Sequence, residues 1–323
     1  MARRYLVTGG AGFIGSNFIR YVFEHEPEAI VTNLDALTYA GVPVTVAELD
    51  ERPNHRFVKG DIRDPGVVGE VMPGHDVIVH FAAESHVDRS IVGPAPFLET
   101  NFVGTGVLLD SALHNAVPRF IHVSTDEVYG SFPTGSATED DPLDPSSPYS
   151  SSKAGSDLLA RSYHVTYGYD AVVTRCTNNY GPYQFPDKVI PLFVTNLLEG
   201  KKVPLYGEGR NERDWLHVED HCAALHLLVD RAESGEVYNI GSGAQLTNLE
   251  LTRAILEYLD LDESWIEFVP DRPGHDLRYA LDSSKIEALG WSPAHVFDSG
   301  LENTIDWYRN RRDWWDPLRR ESS

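Results

Sequence analysis

The chain has 323 residues, enough for about two domains of roughly 150 residues each. Its formal net charge is −22, from 27 basic and 49 acidic residues, which argues against a nucleic-acid partner because such binding relies on a basic surface. Its two cysteines, Cys176 and Cys222, lack a CxxC spacing and fit reduced thiols better than a disulfide framework. We expect neither a signal peptide nor a membrane helix of ~18 apolar residues, and therefore a cytoplasmic protein with no membrane partner.

Short apolar runs alternate with helical patterns through the first half of the chain. The runs are Tyr5–Val7, Ile30–Val31, Phe57–Val58, Val77–Val79 and Phe120–Val123. Continuous apolar strands separated by helices are typical of a parallel sheet that is covered on both faces. We therefore predict an α/β fold with a Rossmann-type doubly wound parallel sheet in residues 1–177.

The alternation of helices and strands thins after Thr177. Short strands are predicted at 203–206, 236–240 and 265–268, and they mix with helices. Thr247 and Glu250 form a capping-box pattern that predicts the start of a helix. We predict a smaller mixed α/β domain in residues 178–323, folded over the carboxyl edge of the sheet, with the chain free to cross between the two domains.

A glycine-rich turn follows the first predicted strand directly and opens a helix. Gly9, Gly12 and Gly15 supply a tight turn, close approach of the backbone to a pyrophosphate, and close helix–strand packing. Asp35 ends the second strand, where a carboxylate accepts ribose hydroxyls and repels a 2′-phosphate. These features together predict bound NAD rather than NADP. A glycine-rich turn without any ligand is the weaker interpretation.

Two later loops lie where strands are predicted to end. They are Gly60–Ile62 and Phe81–Glu84, and their small or apolar residues suit an adenine and a nicotinamide. Ile62 alone is equally consistent with an ordinary loop end.

Tyr149 and Lys153 lie one turn apart on the same face of a predicted helix. A phenol of pKa about 10 is a poor base at neutral pH, but a nearby ammonium and the positive ring of the cofactor lower that pKa. The isolated pattern is more often a solvated helix pair. After a Rossmann half it indicates that Tyr149 deprotonates an alcohol beside NAD.

The predicted strand at 120–123 leads into four polar residues, Ser124, Thr125, Asp126 and Glu127. The two hydroxyls are expected to bond a substrate oxygen beside Tyr149. Simple alcohol oxidation does not require the two carboxylates, whereas paired carboxylates in different environments act as acid and base. A solvated acidic loop is the alternative, given how acidic the chain is.

These motifs resemble the extended branch of the short-chain dehydrogenase/reductase superfamily, whose members process nucleotide sugars. Within it, five segments resemble the dTDP-glucose 4,6-dehydratases: AAESHVDRS (82–90), STDEVYG (124–130), PYSSSKAGSD (148–157), TRCTNNYGPYQFPDKVIPLF (174–193) and DRPGHDLRYALD (271–282). The chain departs from the family at Ala36 and Val42, in the adenosine loop, and at Glu212, beside the substrate phosphates. None of these departures touches the reacting groups.

The resemblance implies an NAD-dependent hydro-lyase of deoxysugar biosynthesis that acts on dTDP-glucose. Tyr149 takes the proton of the C4 hydroxyl while a hydride leaves C4, and Thr125 bonds that oxygen. Glu127 then removes the C5 proton and Asp126 protonates the departing C6 hydroxyl. Return of the hydride to C6 gives dTDP-4-keto-6-deoxyglucose, so the cycle is redox-neutral and the cofactor stays bound.

Two other interpretations remain open at this point. A UDP-sugar 4-epimerase or a UDP-glucuronate decarboxylase of the same superfamily shares everything except the Asp126 and Glu127 chemistry. The epimerases usually carry small or apolar residues there, and the decarboxylases resemble Thr-Ser-Glu. A non-catalytic NAD-binding regulator is disfavoured, because Tyr149, Lys153 and Thr125 would then have no purpose.

The motifs and the resemblance together imply three sets of site residues. The expected catalytic residues are Thr125, Asp126, Glu127, Tyr149 and Lys153. Contacts to NAD are expected from Gly9, Gly12, Phe13, Ile14, Gly15, Asp35, Leu37, Thr38, Asp61, Ile62, Ala82, Ala83, Thr100, Ser124, Tyr149, Lys153 and Asn179. Contacts to the nucleotide sugar are expected from Ser85, Thr125, Asn178, Lys188, Leu192, Pro204, Tyr206, Arg213, Asn248, Arg272 and His275. The histidines show neither HxH nor HExxH spacing, so no metal is predicted.

The family forms homodimers through the helix that carries Tyr149 and the helix before it, so the resemblance implies a homodimer. The helix predicted at 97–115 offers four apolar side chains, Phe97, Val103, Val107 and Leu108. They suit an interface and a core position equally well.

Overall fold

The computed structural model describes residues 2–321. Its strands are β1 (Arg4–Thr8), β2 (Ile30–Asp35), β3 (His55–Lys59), β4 (Val77–His80), β5 (Arg119–Thr125), β6 (Ala171–Cys176), β7 (Asn178–Tyr180), β8 (Val203–Tyr206), β9 (Glu212–His217), β10 (Val237–Ile240), β11 (Gln245–Thr247) and β12 (Ile266–Val269). Its α-helices are α1 (Phe13–His25), α2 (Pro43–Asp50), α3 (Pro65–Val71), α4 (Val87–Val92), α5 (Ala95–Phe97), α6 (Thr105–His114), α7 (Pro148–Tyr167), α8 (Val189–Leu198), α9 (Val218–Arg231), α10 (Asn248–Tyr258), α11 (Ser284–Glu287), α12 (Phe297–Asn310) and α13 (Arg312–Glu321). A π-helical segment, Leu98–Gly104, joins α5 to α6, and short 3-10 turns occur at Asp126–Tyr129 and Glu263–Trp265.

Seven parallel strands form the central sheet, in the order β10-β6-β5-β4-β1-β2-β3. From β1 the chain builds outward to β3 on one side and then returns to build β4, β5 and β6 on the other. The point of reversal lies between β1 and β4, and in such folds the crevice at this point accepts the ligand. The predicted Rossmann-type α/β fold is confirmed.

The core lies in two layers, one on each face of this sheet. Tyr5 and Val7 of β1 pack with Phe18 of α1 and with α9 on one face, whereas Leu6 between them packs with Leu108 of α6 on the other. Alternate side chains of a strand point to opposite faces, so an unbroken apolar run is what a doubly covered strand requires.

The residues after 177 do not all belong to a separate unit. β10 pairs with β6 in the large sheet, and α9 packs against α1, so the chain crosses back to the nucleotide-binding half. The remaining elements form two small sheets, β11-β9-β7 and β12-β8, which pack with α8, α10, α12 and α13 around an apolar cluster that includes Trp314 and Trp315.

Several local predictions are confirmed. The capping box is present, since Thr247 Oγ1 accepts from Glu250 N at 3.1 Å and Glu250 Oε2 accepts from Thr247 N at 2.8 Å. The strands predicted at 203–206, 236–240 and 265–268 appear as β8, β10 and β12.

The apolar residues of the segment at 97–115 divide between core and surface. Phe97 and Leu108 are buried, Val107 is half-buried, and Val103 is exposed beside Leu98 and Phe102. None of the described helices combines the length and the apolar character that crossing a bilayer requires.

Candidate active site

A cavity of about 380 Å³ opens at the carboxyl ends of the central strands, where the strand order reverses. Its wall is formed by the loops that follow β1 to β6 and by the first two turns of α7. This position is the one that ligands occupy in open α/β sheets.

The glycine turn brings backbone groups to this wall. Gly9 adopts a φ of +75°, which favours glycine, and its N–H donates to the Leu34 carbonyl at 2.9 Å. A Cβ added at Gly15 would overlap the Gly9 carbonyl oxygen, so the turn also needs a glycine there. Helix α1 begins at Phe13 without a side-chain cap at Gly12, and its leading N–H groups suit a phosphate.

Asp35 is buried at the end of β2, next to this turn. Its Oδ2 accepts from Ala11 N at 3.0 Å and its Oδ1 accepts from Leu37 N at 2.7 Å. Burial raises the pKa of the carboxyl, and the two N–H groups oppose that rise. The two bonds hold the carboxyl in one orientation beside the phosphate cradle, where it fits ribose hydroxyls and disfavours a 2′-phosphate.

The cavity wall contains every residue predicted to contact NAD except Leu37. Leu37 lies between wall residues Ala36 and Thr38, adopts a φ of +52°, and reaches the site through its N–H bond to Asp35. Glycines, backbone N–H groups and small apolar side chains therefore form a pocket whose chemistry fits a dinucleotide.

Tyr149 and Lys153 occupy successive turns of α7, and both line the cavity. Lys153 Nζ donates to the Val123 carbonyl at 2.7 Å, and burial lowers the pKa of this ammonium to about 8. Burial raises the pKa of Tyr149 well above its ordinary value; the Glu127 carboxylate adds to the rise, and a bond from Thr125 opposes it. In the protein alone, burial therefore outweighs the lowering of the Tyr149 pKa that was expected from the ammonium.

The two carboxyl groups follow β5 on a 3-10 turn that Thr125 caps, since its Oγ1 accepts from Glu127 N at 3.4 Å. Asp126 Oδ1 accepts from Thr125 Oγ1 at 3.2 Å, while Oδ2 is buried without a hydrogen-bond partner. Burial, and then the neighbouring Glu127, raise the pKa of Asp126 well above its usual range, which favours the protonated form.

Glu127 has a different environment from Asp126. It is half-buried at the cavity wall, where burial raises its pKa and the charges of Arg213, Arg272 and Lys188 oppose that rise. Asp126, with its strongly raised pKa, is the candidate acid, and Glu127, where nearby cations oppose the rise in pKa, is the candidate base.

The residues predicted to hold the nucleotide sugar divide into two groups. Ser85, Thr125, Asn178 and Lys188 line the cavity, and Lys188 Nζ donates to the Ser85 carbonyl at 2.9 Å. The wall does not include Leu192, Pro204, Tyr206, Arg213, Asn248, Arg272 or His275. Leu192 packs at the edge of the C-terminal apolar cluster, and Asn248 N donates to the Asn211 carbonyl at 2.9 Å.

The charged members of the second group lie beyond Glu127. The Arg213 guanidinium is buried, lies 4.3 Å from the Tyr279 ring centre, and donates to the backbone carbonyls of Glu212 and Asp276 at 2.6 and 3.0 Å. Across residues 2–321 no carboxylate forms an ion pair with it. A buried cation whose partners are carbonyl groups and an aromatic ring suits an anionic ligand.

Arg272, Tyr206 and His275 form a more exposed cluster around two aspartates. Arg272 Nη1 lies 3.0 Å from Asp88 Oδ1, and the Tyr206 hydroxyl donates to Asp88 Oδ2 at 3.4 Å. His275 Nδ1 lies 2.6 Å from Asp271 Oδ1. These contacts connect α4, β8 and the loop after β12 at the substrate end of the cavity.

Sequence reasoning missed part of the wall between β7 and α8. Gln184, Phe185 and Asp187 line the cavity, and Gln184 Oε1 and both Asp187 carboxylate oxygens are buried without hydrogen-bond partners. The available signal was the Gly181–Pro182 pair, which marks a loop within the segment 174–193, because loops often carry binding residues.

Away from this cavity, the fold brings together three groups that the spacing of histidines did not predict. Ligand atoms of His217, Glu219 and His295 lie within 4.8 Å of one another. The two imidazole rings are stacked, with centroids 3.9 Å apart and planes 22° apart. Since the nitrogen lone pairs lie in the ring planes, stacked rings do not direct them at one ion.

The sheet, the uncapped glycine turn, the buried Asp35 and the Tyr149–Lys153 pair share one cavity. Together they define an NAD-dependent site of the short-chain dehydrogenase/reductase class.

Comparison with known proteins identifies the family within this class. The family model described as GDP-mannose 4,6 dehydratase matches residues 6–304. The dTDP-glucose 4,6-dehydratases of Streptomyces niveus and Actinoplanes sp. are 53% and 55% identical, over 98% and 97% of this chain and 96% and 99% of their own lengths. The crystal structure of DesIV, a dTDP-glucose 4,6-dehydratase from Streptomyces venezuelae with NAD and dTDP bound, is 56% identical with a TM-score of 0.95, over 98% of this chain and 99% of that chain.

The chain belongs to the dTDP-glucose 4,6-dehydratase family. The epimerase and decarboxylase alternatives are not favoured, because these relatives at more than half identity are dehydratases.

Proposed function

We propose that this chain is an NAD-dependent dTDP-glucose 4,6-dehydratase that produces dTDP-4-keto-6-deoxyglucose. The observation that carries the proposal is the position of Asp126 and Glu127 in the same cavity as Tyr149 and Lys153. Oxidation of an alcohol needs the tyrosine and the lysine alone. A second acid and base in unlike environments suit the removal of water.

The glycine turn, the start of α1 and Asp35 would hold the cofactor. NAD⁺, when bound, accepts a hydride from C4 of the sugar and later returns it to C6. Asn179 also lines the cavity, and its Oδ1 lies 2.9 Å from His221 Nδ1, a contact that restrains the amide. Asn179 would therefore contact the bound dinucleotide with its amide group held in place.

Tyr149 takes the proton of the C4 hydroxyl on its phenolic oxygen. Burial holds the pKa of this phenol high, so ionisation requires positive charge close to it. Lys153 supplies one such charge, and the ring of the bound cofactor adds to it. Thr125, which bonds to Tyr149, is placed to orient the same sugar oxygen.

Elimination then uses the carboxyl pair. Glu127 takes the C5 proton, made acidic by the C4 ketone, while the C6–oxygen bond breaks and a C5–C6 double bond forms. Asp126 donates its proton to the departing oxygen, which leaves as water. The raised pKa and the unpartnered Oδ2 of Asp126 suit the acid, and the cations near Glu127 suit the base. Glu127 finally returns a proton to C5.

The substrate diphosphate requires positive charge on a chain of net charge −22. Arg213 supplies a buried guanidinium without a carboxylate partner in the described chain, and Arg272 and Lys188 lie near enough to Glu127 to oppose the rise in its pKa. We assign these three cations to the nucleotide end of the substrate, with Tyr206, His275, Asn248, Pro204 and Leu192 around its base.

A homodimer is part of this proposal. The side chains of Leu98, Phe102 and Val103, on the π-helical segment, are 51%, 42% and 53% exposed, and Leu158 on the adjacent α7 is 52% exposed. Four large apolar side chains on two touching helices form a patch of the kind that protein interfaces cover. Val103→Glu should yield a monomer in sedimentation velocity, whereas Val296→Glu, elsewhere on the surface, should not.

We also propose a cytoplasmic location. Cys176 and Cys222 are both buried and free, as expected for a protein in a reducing compartment.

The deciding experiment gives the purified protein dTDP-glucose in deuterated water without added reductant. The expected product is dTDP-4-keto-6-deoxyglucose with deuterium at C5, identified by NMR. Return of dTDP-galactose without deuterium would instead establish an epimerase and end the proposal.

Variants of the carboxyl pair separate the steps. Asp126→Asn and Glu127→Gln should each slow turnover by roughly 10²–10⁴-fold. Asp126→Asn should still form a bound 4-keto sugar but release little dehydrated product, and Glu127→Gln should lose exchange of the C5 hydrogen with solvent. If both variants gave the same products as the wild type, the roles assigned to Asp126 and Glu127 would be wrong.

A further inference from the structure

A fully buried arginine lies behind the active site and touches neither the cavity nor the surface. Arg175 stands on β6, immediately before Cys176, and its side chain is 1% exposed. Its guanidinium forms two parallel bonds to one carboxylate, from Nε to Asp157 Oδ2 at 2.8 Å and from Nη2 to Asp157 Oδ1 at 3.0 Å. This forked pairing restricts orientation as well as distance.

Asp157 belongs to the helix of the oxidising pair. Tyr149, Lys153 and Asp157 are spaced four residues apart on α7, so they follow one another along one face on successive turns. The bonds from Arg175 therefore fix α7 to β6 one turn beyond Lys153.

The other side of the same guanidinium contacts the 3-10 turn that carries the acid–base pair. Arg175 Nη1 donates to the Tyr129 hydroxyl at 2.6 Å, and the guanidinium carbon lies 4.7 Å from the centre of the Tyr129 ring. Tyr129 is the last residue of the 3-10 turn that carries Asp126 and Glu127. Its hydroxyl in turn donates to Asn239 Oδ1 at 2.9 Å.

We propose that Arg175 and Tyr129 are positioning residues that set the distance between the oxidising pair on α7 and the acid–base pair on the 3-10 turn. This inference rests on the proposed function, because it concerns how two catalytic pairs contact the same sugar ring. Tyr149 must reach the C4 oxygen while Glu127 and Asp126 reach C5 and C6 of the same ring. A misplacement of about 1 Å costs roughly 10²-fold in rate.

Stability alone does not account for this arrangement. A buried ion pair is often no more stabilising than apolar residues of the same volume, because two charges lose their hydration. The ion pair does restrict Arg175 and Asp157 to one relative orientation. Through Tyr129, that restriction connects α7 to the 3-10 turn, whose side chains must act one after the other on the same substrate.

The sharpest test is Tyr129→Phe, since removal of Arg175 would leave the buried Asp157 unpaired. The matched control is Tyr258→Phe, which removes a hydroxyl bonded to Asp306 Oδ2 at 2.8 Å on α10, away from the cavity. In single turnovers with dTDP-glucose in deuterated water, the Tyr129 variant should still oxidise C4. The ratio of 4-keto-glucose to dehydrated product should rise about tenfold or more, and C5 deuterium exchange should slow in parallel. The control should keep the wild-type ratio.

Asp157→Asn tests the opposite end of the bridge and should slow C4 oxidation, with the product ratio unchanged. If Tyr129→Phe lowers the melting temperature but keeps the wild-type ratio of 4-keto-glucose to dehydrated product, the role of Tyr129 is purely structural and the inference is overturned. Unchanged rates in both variants would also overturn it. If Tyr129→Phe does not fold, slowed oxidation in a folded Asp157→Asn supports the inference and unchanged oxidation overturns it. Failure of the wild type to form a dehydrated product would instead count against the proposed function.

Discussion

The cofactor half and the substrate half of the cavity differ in the chemical groups that surround them. The cofactor half consists mainly of backbone, with the Gly9–Gly15 turn, the start of α1 and one fixed carboxylate, Asp35. The substrate half is bordered by positive side chains, Lys188 in the wall and Arg213 and Arg272 beyond it, whose charges oppose the rise in the pKa of Glu127. Backbone dipoles are held by the fold itself, whereas side-chain charges depend on burial and pairing and, where exposed, on salt. Substitutions in the cofactor half should therefore reduce the retention of NAD, whereas substitutions in the substrate half should raise KM for dTDP-glucose in a salt-dependent way.

The catalytic pair between the two halves should show the largest effect. Tyr149→Phe removes the base, and Lys153→Ala removes its positive neighbour, so C4 oxidation should fall by about 10²–10⁴-fold. NAD retention through gel filtration should survive in Tyr149→Phe, because the ring still packs edge-on against Phe97 with centroids 6.4 Å apart. Tyr163→Phe, on the same helix with its hydroxyl on Asp110 at 3.2 Å, is the control. A near-native single-turnover rate in Tyr149→Phe would refute the assignment.

A change confined to the cofactor half should release the dinucleotide. In Gly15→Ala the new methyl group meets the Gly9 carbonyl, so the turn must open, at a cost of about 1–3 kcal/mol in the free energy of unfolding. The purified variant should lose NAD on gel filtration, measured by absorbance of the extracted dinucleotide. Gly69→Ala on α3, where an added Cβ has no neighbour within 4 Å, should keep NAD and gain roughly 0.5–1 kcal/mol. Full NAD content in Gly15→Ala would contradict the backbone account of this half.

A change confined to the substrate half should act on KM. Arg272→Gln removes a partly exposed charge beside Asp88, at an expected cost of about 1 kcal/mol, or roughly a fivefold rise in KM for dTDP-glucose. NAD content should not change, and added salt should narrow the difference from the wild type. Arg210→Gln, whose arginine is 78% exposed and paired with Glu208, is the control. If KM of the wild type did not depend on salt, charged side chains would not control substrate binding in this half, and the electrostatic explanation would be wrong.

The smallest effect concerns pH and a side chain outside both halves. Bonds to Asp220 and then Glu219 raise the pKa of His295 to about 9, while burial lowers the pKa of the stacked His217 to about 4 and keeps it neutral. Protonated His295 therefore stabilises the fold fully below the unfolded pKa of about 6.5, and this contribution is lost as pH rises through about 9. After discounting for solvent, it is worth at most about 1 kcal/mol.

Urea unfolding of the wild type and of His295→Gln at pH 6 and pH 9.5 measures this contribution. The difference in the free energy of unfolding between the two proteins should shrink at the higher pH. A difference that stays constant would show that His295 does not titrate in this window.

The strands and the helix start that were predicted well are those whose signal is local. Tyr5–Val7 and Phe120–Val123 are unbroken apolar runs, and a strand covered on both faces leaves no other pattern. The capping box of Thr247 and Glu250 closes within one turn. The sequence left the chain free to cross between the domains but did not identify β10 as the strand that returns, because a short run does not reveal which strand it pairs with.

Site residues follow the same division. The glycine turn and Asp35 could be predicted from spacing because a single β1–α1–β2 unit places them all. The sequence did not predict that Gln184 and Asp187 line the cavity or that Arg213 and Arg272 lie outside its wall. The positions of these four side chains depend on how segments far apart in the chain pack together. Burial also raises the pKa of Tyr149, an effect that the spacing of Tyr149 and Lys153 does not reveal.

By itself, the sequence determined the fold class, and it predicted the dinucleotide cradle and the five candidate reacting side chains, because each signal is encoded within a short segment of the chain. Only the tertiary structure decided that Asp126 is buried with a raised pKa while Glu127 is held among cations, and that Arg175 joins Asp157 to Tyr129. Those properties depend on distance and solvent exclusion between segments far apart in the chain, and residue order does not carry that information.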